Sequence, residues 1–291
     1  MNEYLAGVFP GRVIKIAVNA GLGCPNRYGS IGHEGCIYCN NLSFNPAYAA
    51  SDSSGSITAQ IEKGIRFNSR KGDCYGYLAY FQSYTNTYGP TDKLIALYEA
   101  ALNFPGVKGL VIATRPDCIK PELADWFEKK FGRKAPLGHP HLLVEIGIES
   151  TSDHTLELIN RHHTYQCAVD CINDLNERGI DIGAHLILGL PGENEQDYMT
   201  HAERISALPI KTVKLHQLQV VKGTKLAQMY QSDPSQIKLF TAKEYADVVS
   251  RFIKTARKDI FYDRFVSETP ASMLIAPAWG IKPQAFNLMI K

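Results

Sequence analysis

The chain has 291 residues, of which 45% are hydrophobic and 21% charged, with a formal net charge of +2. This composition excludes a disordered or low-complexity protein, and the near-neutral balance gives no strong field for nucleic acid or acidic membranes. No stretch reaches the roughly 18 apolar residues of a membrane span, and MNEYLAGVFPGRVIKIAV lacks the cationic-then-apolar order of a secretion signal.

Short apolar, β-branched runs alternate with longer segments of helical period. The first run, VIKIAVN (13–19), is followed by a glycine- and cysteine-rich loop and then by 57–68, where Ile57, Ile61 and Ile65 recur every four residues. GYLAYFQ (76–82) leads to TDKLIALYEAALNF, which Thr91 is expected to cap. KGLVIAT (108–114) leads to PELADWFEKKFG, whose proline suits a first helical turn. LLVEIGIES (142–150) precedes TYQCAVDCINDLNERG (164–179), which ends in a glycine at a C′ position. DIGAHLILG (181–189) precedes NEQDYMTHAERISAL. TVKLHQLQ (212–219) precedes TAKEYADVVSRFIKTARKD, where Thr241 and Glu244 form a capping-box pattern.

Runs that are apolar at nearly every position suit parallel strands covered on both faces. Six β–α units with right-handed crossovers predict an α/β domain wound into an open or closed barrel. The expected division is a core barrel over 1–258, with an N-terminal lead-in strand, and a C-terminal extension over 259–291. That extension holds one more candidate strand, IFYDRFV (260–266). In parallel barrels, chemistry collects at the C-terminal ends of the strands, and the cysteine loop starts at that end of the first run.

Seven cysteines without a secretion signal argue against a disulfide framework, so the chain is expected to be cytoplasmic with its thiols reduced. In the loop CPNRYGSIGHEGCIYC, Cys24 is followed after eleven residues by Cys36, and after two more by Cys39. Structural zinc and iron–sulfur clusters normally take four protein ligands. Three cysteines therefore leave two readings open: a Cys3His zinc module completed by His33, or a cluster with one iron uncovered. The remaining Cys74, Cys118, Cys167 and Cys171 form no such loop. Cys167 and Cys171 share a helix face, where cysteine also serves as a small hydrophobe, and no second cluster is expected.

With these motifs in view, the chain resembles the radical S-adenosylmethionine (SAM) superfamily, and within it the YhcC/YtqA-type group. It is more distantly similar to the radical SAM domains of the elongator catalytic subunit and oxygen-independent coproporphyrinogen oxidase. The commonest superfamily loop has three residues between the first two cysteines; the eleven here depart from it in the manner of the YhcC-like branch. The resemblance implies a partial (β/α)6 TIM-like barrel with a short C-terminal extension. It further implies a [4Fe–4S] cluster held by Cys24, Cys36 and Cys39, with S-adenosylmethionine on the fourth iron. An external one-electron reductant of flavodoxin or ferredoxin type would cleave S-adenosylmethionine to a 5′-deoxyadenosyl radical that abstracts hydrogen from a substrate.

Residue by residue, the resemblance puts Tyr38 on the adenine, the segment of Gln82 and Ser83 at the methionine amino group, and Glu149 at the ribose. Arg161 falls on the arginine that pairs with the SAM carboxylate. Thr114 stands near where relatives carry a ribose-binding glutamate, and here Ala113 holds that place. His185 replaces a ribose-binding aspartate and reads equally as ribose donor, acid/base or packing group. Leu190, in GLPGE, and Val221 fall in adenine-contacting regions. Tyr84, Asn86, His162 and His216 are candidates for the substrate cavity. Glu145 and Glu149, four apart on an apolar strand, are expected to share a face, because carboxylates there need partners or a polar cavity. For the substrate, the resemblance to the elongator-like branch points first to modification of RNA, with tRNA the expected class. A small metabolite or porphyrin-like acid under an oxidoreductase, and the non-catalytic zinc module, are the alternatives.

Overall fold

In the computed structural model, residues 1–40, 56–68 and 72–291 are described. Among the described residues, seven strands form one parallel sheet: β1 (Val13–Val18), β2 (Gly76–Phe81), β3 (Val107–Thr114), β4 (His141–Glu149), β5 (Asp181–Leu188), β6 (Thr212–Gln217) and β8 (Phe261–Arg264). Their order in the sheet is their order in the chain, so every neighbouring pair is joined by a crossover and the sheet curls into a partial barrel. The candidate run at 260–266 is the strand β8, so the sheet continues past residue 258.

Two periodicities build this arrangement. Helices Ile57–Asn68, Thr91–Leu102, Pro121–Phe131, Tyr165–Glu177, Glu195–Ser206 and Ala242–Thr255 follow their strands in turn. They bury an apolar stripe against the outer face, where Phe81, Ile112, Val144, Ile182 and Leu215 meet Leu94, Phe127, Ile172, Ile205 and Phe252. Cys171 packs against this same layer. The expected capping box at Thr241 and Glu244 is formed, and Thr164 caps its helix through the Cys167 amide. Thr91, by contrast, is the first helical residue: Pro90 occupies the cap position in extended geometry and no side chain caps the helix.

The inner face is layered by polarity. Ahead of β1 the chain is a helix, Asn2–Val8, rather than a strand. Its Tyr4 and Leu5 join Leu78, Val111 and Leu143 at the N-terminal end of the barrel, and the Tyr4 hydroxyl donates to Asp181 (2.6 Å). Midway along the strands the inner face turns polar. The far end is flanked by a separate apolar group containing Ile37, Ile159, Ile187, Leu190 and Leu218. Beyond β6, the two-residue strand β7 (Val220–Val221) pairs antiparallel with β9 (Leu274–Ala276). Trp279 then stacks on Phe286 at 5.6 Å and donates to the Phe240 carbonyl, returning the C-terminal segment to the barrel.

Candidate active site

The cysteine loop leaves β1 and turns back over the sheet because short-range bonds fold it locally. Cys24 precedes the four-residue helix Pro25–Tyr28, which Gly29 ends in left-handed geometry. The Asn26 amide donates to the Asn160 carbonyl (2.6 Å) and toward the Cys36 sulfur (3.5 Å). The Arg27 guanidinium donates to the Cys39 carbonyl (2.7 Å). Ile37 bonds to Ile159 through its amide and accepts from the Leu226 amide, so the loop is fixed from both sides.

The three thiols line one cavity of about 950 Å³ of space open to solvent, at the C-terminal ends of the strands. Cys36 is buried, while Cys24 and Cys39 are half-buried. Burial first, then the neighbouring Cys36, pushes the Cys39 thiol up to about 12. A thiolate at Cys39 is therefore costly unless a cationic centre joins it.

Arg161 approaches the same wall. It lies 7% exposed, donates to the Gly147 carbonyl (2.7 Å), and reaches the Cys36 sulfur at 3.6 Å and Glu149 at 3.4 Å. Its Nε donates to His163 Nε2 (2.9 Å), while His163 Nδ1 lies 3.1 Å from the Thr164 carbonyl. That pattern requires neutral His163 with its proton on Nδ1. Burial, then Arg161, lowers the His163 pKa to about 3, in agreement. Arg115, 2% exposed, forks onto Asp117 and donates to the Arg161 carbonyl.

Four non-glycine residues among those described adopt positive φ: Tyr84, Glu149, Asn160 and His162. Tyr84 and Glu149 line the cavity, and Asn160 and His162 bracket Arg161. Each costs on the order of 1–3 kcal/mol, which packing elsewhere offsets. Asn160 also donates to the Gly35 carbonyl (2.8 Å), joining this bracket to the cysteine loop.

The cavity floor is ionic. Glu145, 1% exposed, accepts at one oxygen from Tyr80 (2.7 Å), Lys214 (2.8 Å) and His185 Nε2 (2.9 Å). Lys214 also contacts Asp263 (3.0 Å), which pairs with Lys15 (2.7 Å). Burial alone would raise the Glu145 pKa, but Lys214 and then His185 outweigh it and hold the carboxyl well below its usual range. Burial lowers His185, leaving a neutral ring with Nε2–H toward Glu145. A side chain at position 183 would sit 3.4 Å from Glu145 Cγ and 2.5 Å from Thr212 Oγ1, so glycine there makes the room.

Of the sequence candidates, Cys24, Cys36, Cys39, Tyr38, Gln82, Thr114, Glu149, Arg161, His185, Tyr84 and His216 all line this cavity. Val221 lines a smaller adjoining one that shares Tyr38, Ile187 and His216. Leu190 is buried in the flanking apolar group, against which Tyr38 packs. Ser83 is buried off the wall. Asn86 is also off it, tying the β2 and β3 ends through the Phe81 and Ala113 carbonyls. His162 is exposed; its neighbour His163 is the one turned inward. His33 is exposed and away from the thiols, and among the described residues no three His, Cys, Asp or Glu form a single-ion site. Tyr80, Lys214, Asp263 and Arg264 also line the floor but were not legible in the sequence: the last three were marked only by charge in strand runs, and Tyr80 by nothing that sets it apart from a packed aromatic.

The radical SAM superfamily model matches residues 18–205, and a radical SAM C-terminal domain model matches 210–289. The chain belongs to the radical SAM superfamily. This radical SAM chain is 30% identical over 281 residues to the uncharacterized protein YtqA of Bacillus subtilis, covering 97% of this chain and 84% of that one. It is 30% identical over 270 residues to YhcC of Escherichia coli, covering 92% and 82%. Among solved structures, the Elp3 protein of Methanocaldococcus infernus superposes with a TM-score of 0.67 at 17% identity, over 95% of this chain and 61% of the other. The radical SAM fold and enzyme class are thereby shown, with the [4Fe–4S] cluster and S-adenosylmethionine as the cofactors of the class and an external reductant as its usual requirement. No helix among the described residues is long and apolar enough to cross a membrane. The donor set fits: three thiols that no fourth ligand among the described residues completes face a cavity with an arginine fork beside them.

Proposed function

We propose that Cys24, Cys36 and Cys39 hold the cluster, and that the enzyme cleaves S-adenosylmethionine in this cavity and acts on a nucleotide of RNA. The observation that carries the reading is the convergence of three thiols and the Arg161 guanidinium on one wall at the strand ends. When bound, the cofactors supply a hydrogen-abstracting 5′-deoxyadenosyl radical, one electron breaking a carbon–sulfur bond and releasing methionine.

The chain's own residues bind and orient. Arg161, fixed by the Gly147 carbonyl and His163, offers its fork to a carboxylate. Glu149 is placed to accept from ribose hydroxyls. Tyr38, backed by Leu190 and adjoining Val221, offers a face for adenine. Gln82, Thr114 and Tyr84 complete the cavity wall. His185 donates through Nε2 to Glu145 and keeps Nδ1 as the acceptor, which suits it to take a proton at the reacting position. The His216 ring lies 5.7 Å from it and bonds to Ser267.

The RNA part is supported by a relative, 25% identical over 169 residues, named tRNA uridine(34) acetyltransferase in Methanocaldococcus jannaschii; the chain spans 29% of that protein. Comparing modified nucleosides in RNA from cells with and without the enzyme tests it. We expect one nucleoside to change; identical profiles across all RNA classes would sink the RNA reading while leaving the cofactor chemistry standing.

A further inference from the structure

Arg264 ends β8 and lines the cavity, yet its Nε is buried without a hydrogen-bond partner, and it enters no ion pair among the described residues. The other charged groups on that floor pair with one another, although Glu145 Oε1 takes no hydrogen bond among the described residues. Lys15 pairs with Asp263, and Lys214 lies between Asp263 and Glu145. Two cations thus meet two carboxylates. His185 and His216 are held neutral by burial, with the nearby cationic side chains adding to it. The Arg264 charge is the remainder.

Its position gives that charge a use. A second opening, lined by Lys15, Asn68, Lys214 and Asp263, shares Tyr80, Gln82 and Arg264 with the main cavity. Among the described residues β1 and β8 are the two edge strands of the sheet, and both contribute to this opening. A molecule in the main cavity can extend past Arg264 into it. A planar guanidinium with free donors matches the paired oxygens of a carboxylate or phosphate, and a cation without a protein partner beside a low-dielectric floor favours an anion there.

We infer that Arg264 anchors an oxyanion of the substrate, a carboxylate or a phosphate, at the junction of the two openings while the reacting carbon faces the cysteine wall. This rests on the reading that the cavity takes a substrate beside S-adenosylmethionine. For an RNA nucleotide the oxyanion is its phosphate; for a small acid it is the carboxylate.

The test is calorimetric titration of the anaerobically reconstituted holoenzyme, with S-adenosylmethionine present, at low salt. The probes, used separately, are uridine 5′-monophosphate and glutarate. We expect saturable binding of at least one, weakened at least about tenfold by Arg264→Gln and left unchanged by Arg251→Gln on an outer helix. Binding of the monophosphate alone assigns a phosphate, of glutarate alone a carboxylate, and of both an oxyanion site of either source. If neither probe binds, or Arg264→Gln binds as the wild type does, the inference is overturned. Should Arg264→Gln fail to fold, Arg264→Lys decides: it keeps the charge without the fork, and wild-type affinity in it overturns the inference equally. Wild-type protein that binds a probe but does not cleave S-adenosylmethionine would leave the oxyanion site standing and remove the proposed function.

Discussion

Gly147 carries no side chain because its neighbours occupy the space: a Cβ there would lie 2.6 Å from Arg161 and 2.7 Å from Glu149. Gly147→Ala therefore acts on the two residues proposed to receive S-adenosylmethionine. Overpacking costs about 1–3 kcal/mol, enough to lower affinity on the order of tenfold. We expect that loss in a titration of reconstituted protein, together with an unfolding midpoint lowered by a few degrees; wild-type affinity would show that Arg161 does not depend on this gap. His163 gives a second prediction. Its pKa of about 3 lies below the ordinary 6.5 because burial and Arg161 disfavour its charged form. Between those values the unfolded chain binds a proton that the folded chain refuses. Stability thus falls as pH drops below about 6.5, by about 1.4 kcal/mol per unit for this group. Denaturant unfolding at pH 7.5 and 5.5 should show a shallower loss in His163→Gln than in the wild type, and equal losses would remove the claim. Arg161 was legible from its motif, but its support was not. Which of two adjacent histidines turns inward depends on positive φ at Asn160 and His162, which no side-chain pattern announces.

The strands explain why the floor escaped the sequence. Alternation on β4 predicts that Glu145 and Glu149 share a face, but the register slips between Gly147 and Glu149, and Glu149 takes positive φ. Both carboxylates still line the cavity, by different routes. The partners of Glu145 come from β2, β5 and β6, more than thirty residues away along the chain, so only the assembled sheet shows the carboxylate to be neutralised. Removing one member should therefore be severe. Lys214→Met leaves Glu145 and Asp263 buried with less compensation, and breaking a buried pair costs about 3–5 kcal/mol. Adding Glu145→Gln to that variant should restore part of the loss in denaturant unfolding. No recovery in the double variant would contradict a coupled network.

For the whole molecule, the alternation of apolar runs and helical periods made the barrel legible in advance, because most runs are apolar at nearly every position and each helix has one apolar stripe. The helix Asn2–Val8 was missed: its seven residues are too few for a periodic pattern, and its docking depends on Asp181 and on the far strand β8, whose Tyr262 carbonyl accepts from the Met1 amine. The loop after β1 marked the site but left a Cys3His zinc module and a cluster with an uncovered iron both open, and the resemblance to the radical SAM superfamily decided between them. The measurement that bears most directly on this is anaerobic reconstitution with iron and sulfide, followed by reduction in the presence of S-adenosylmethionine. We expect one [4Fe–4S] cluster per chain and release of 5′-deoxyadenosine and methionine, both lost in Cys36→Ala. Stoichiometric zinc with no cleavage, or undiminished cleavage in Cys36→Ala, would contradict it.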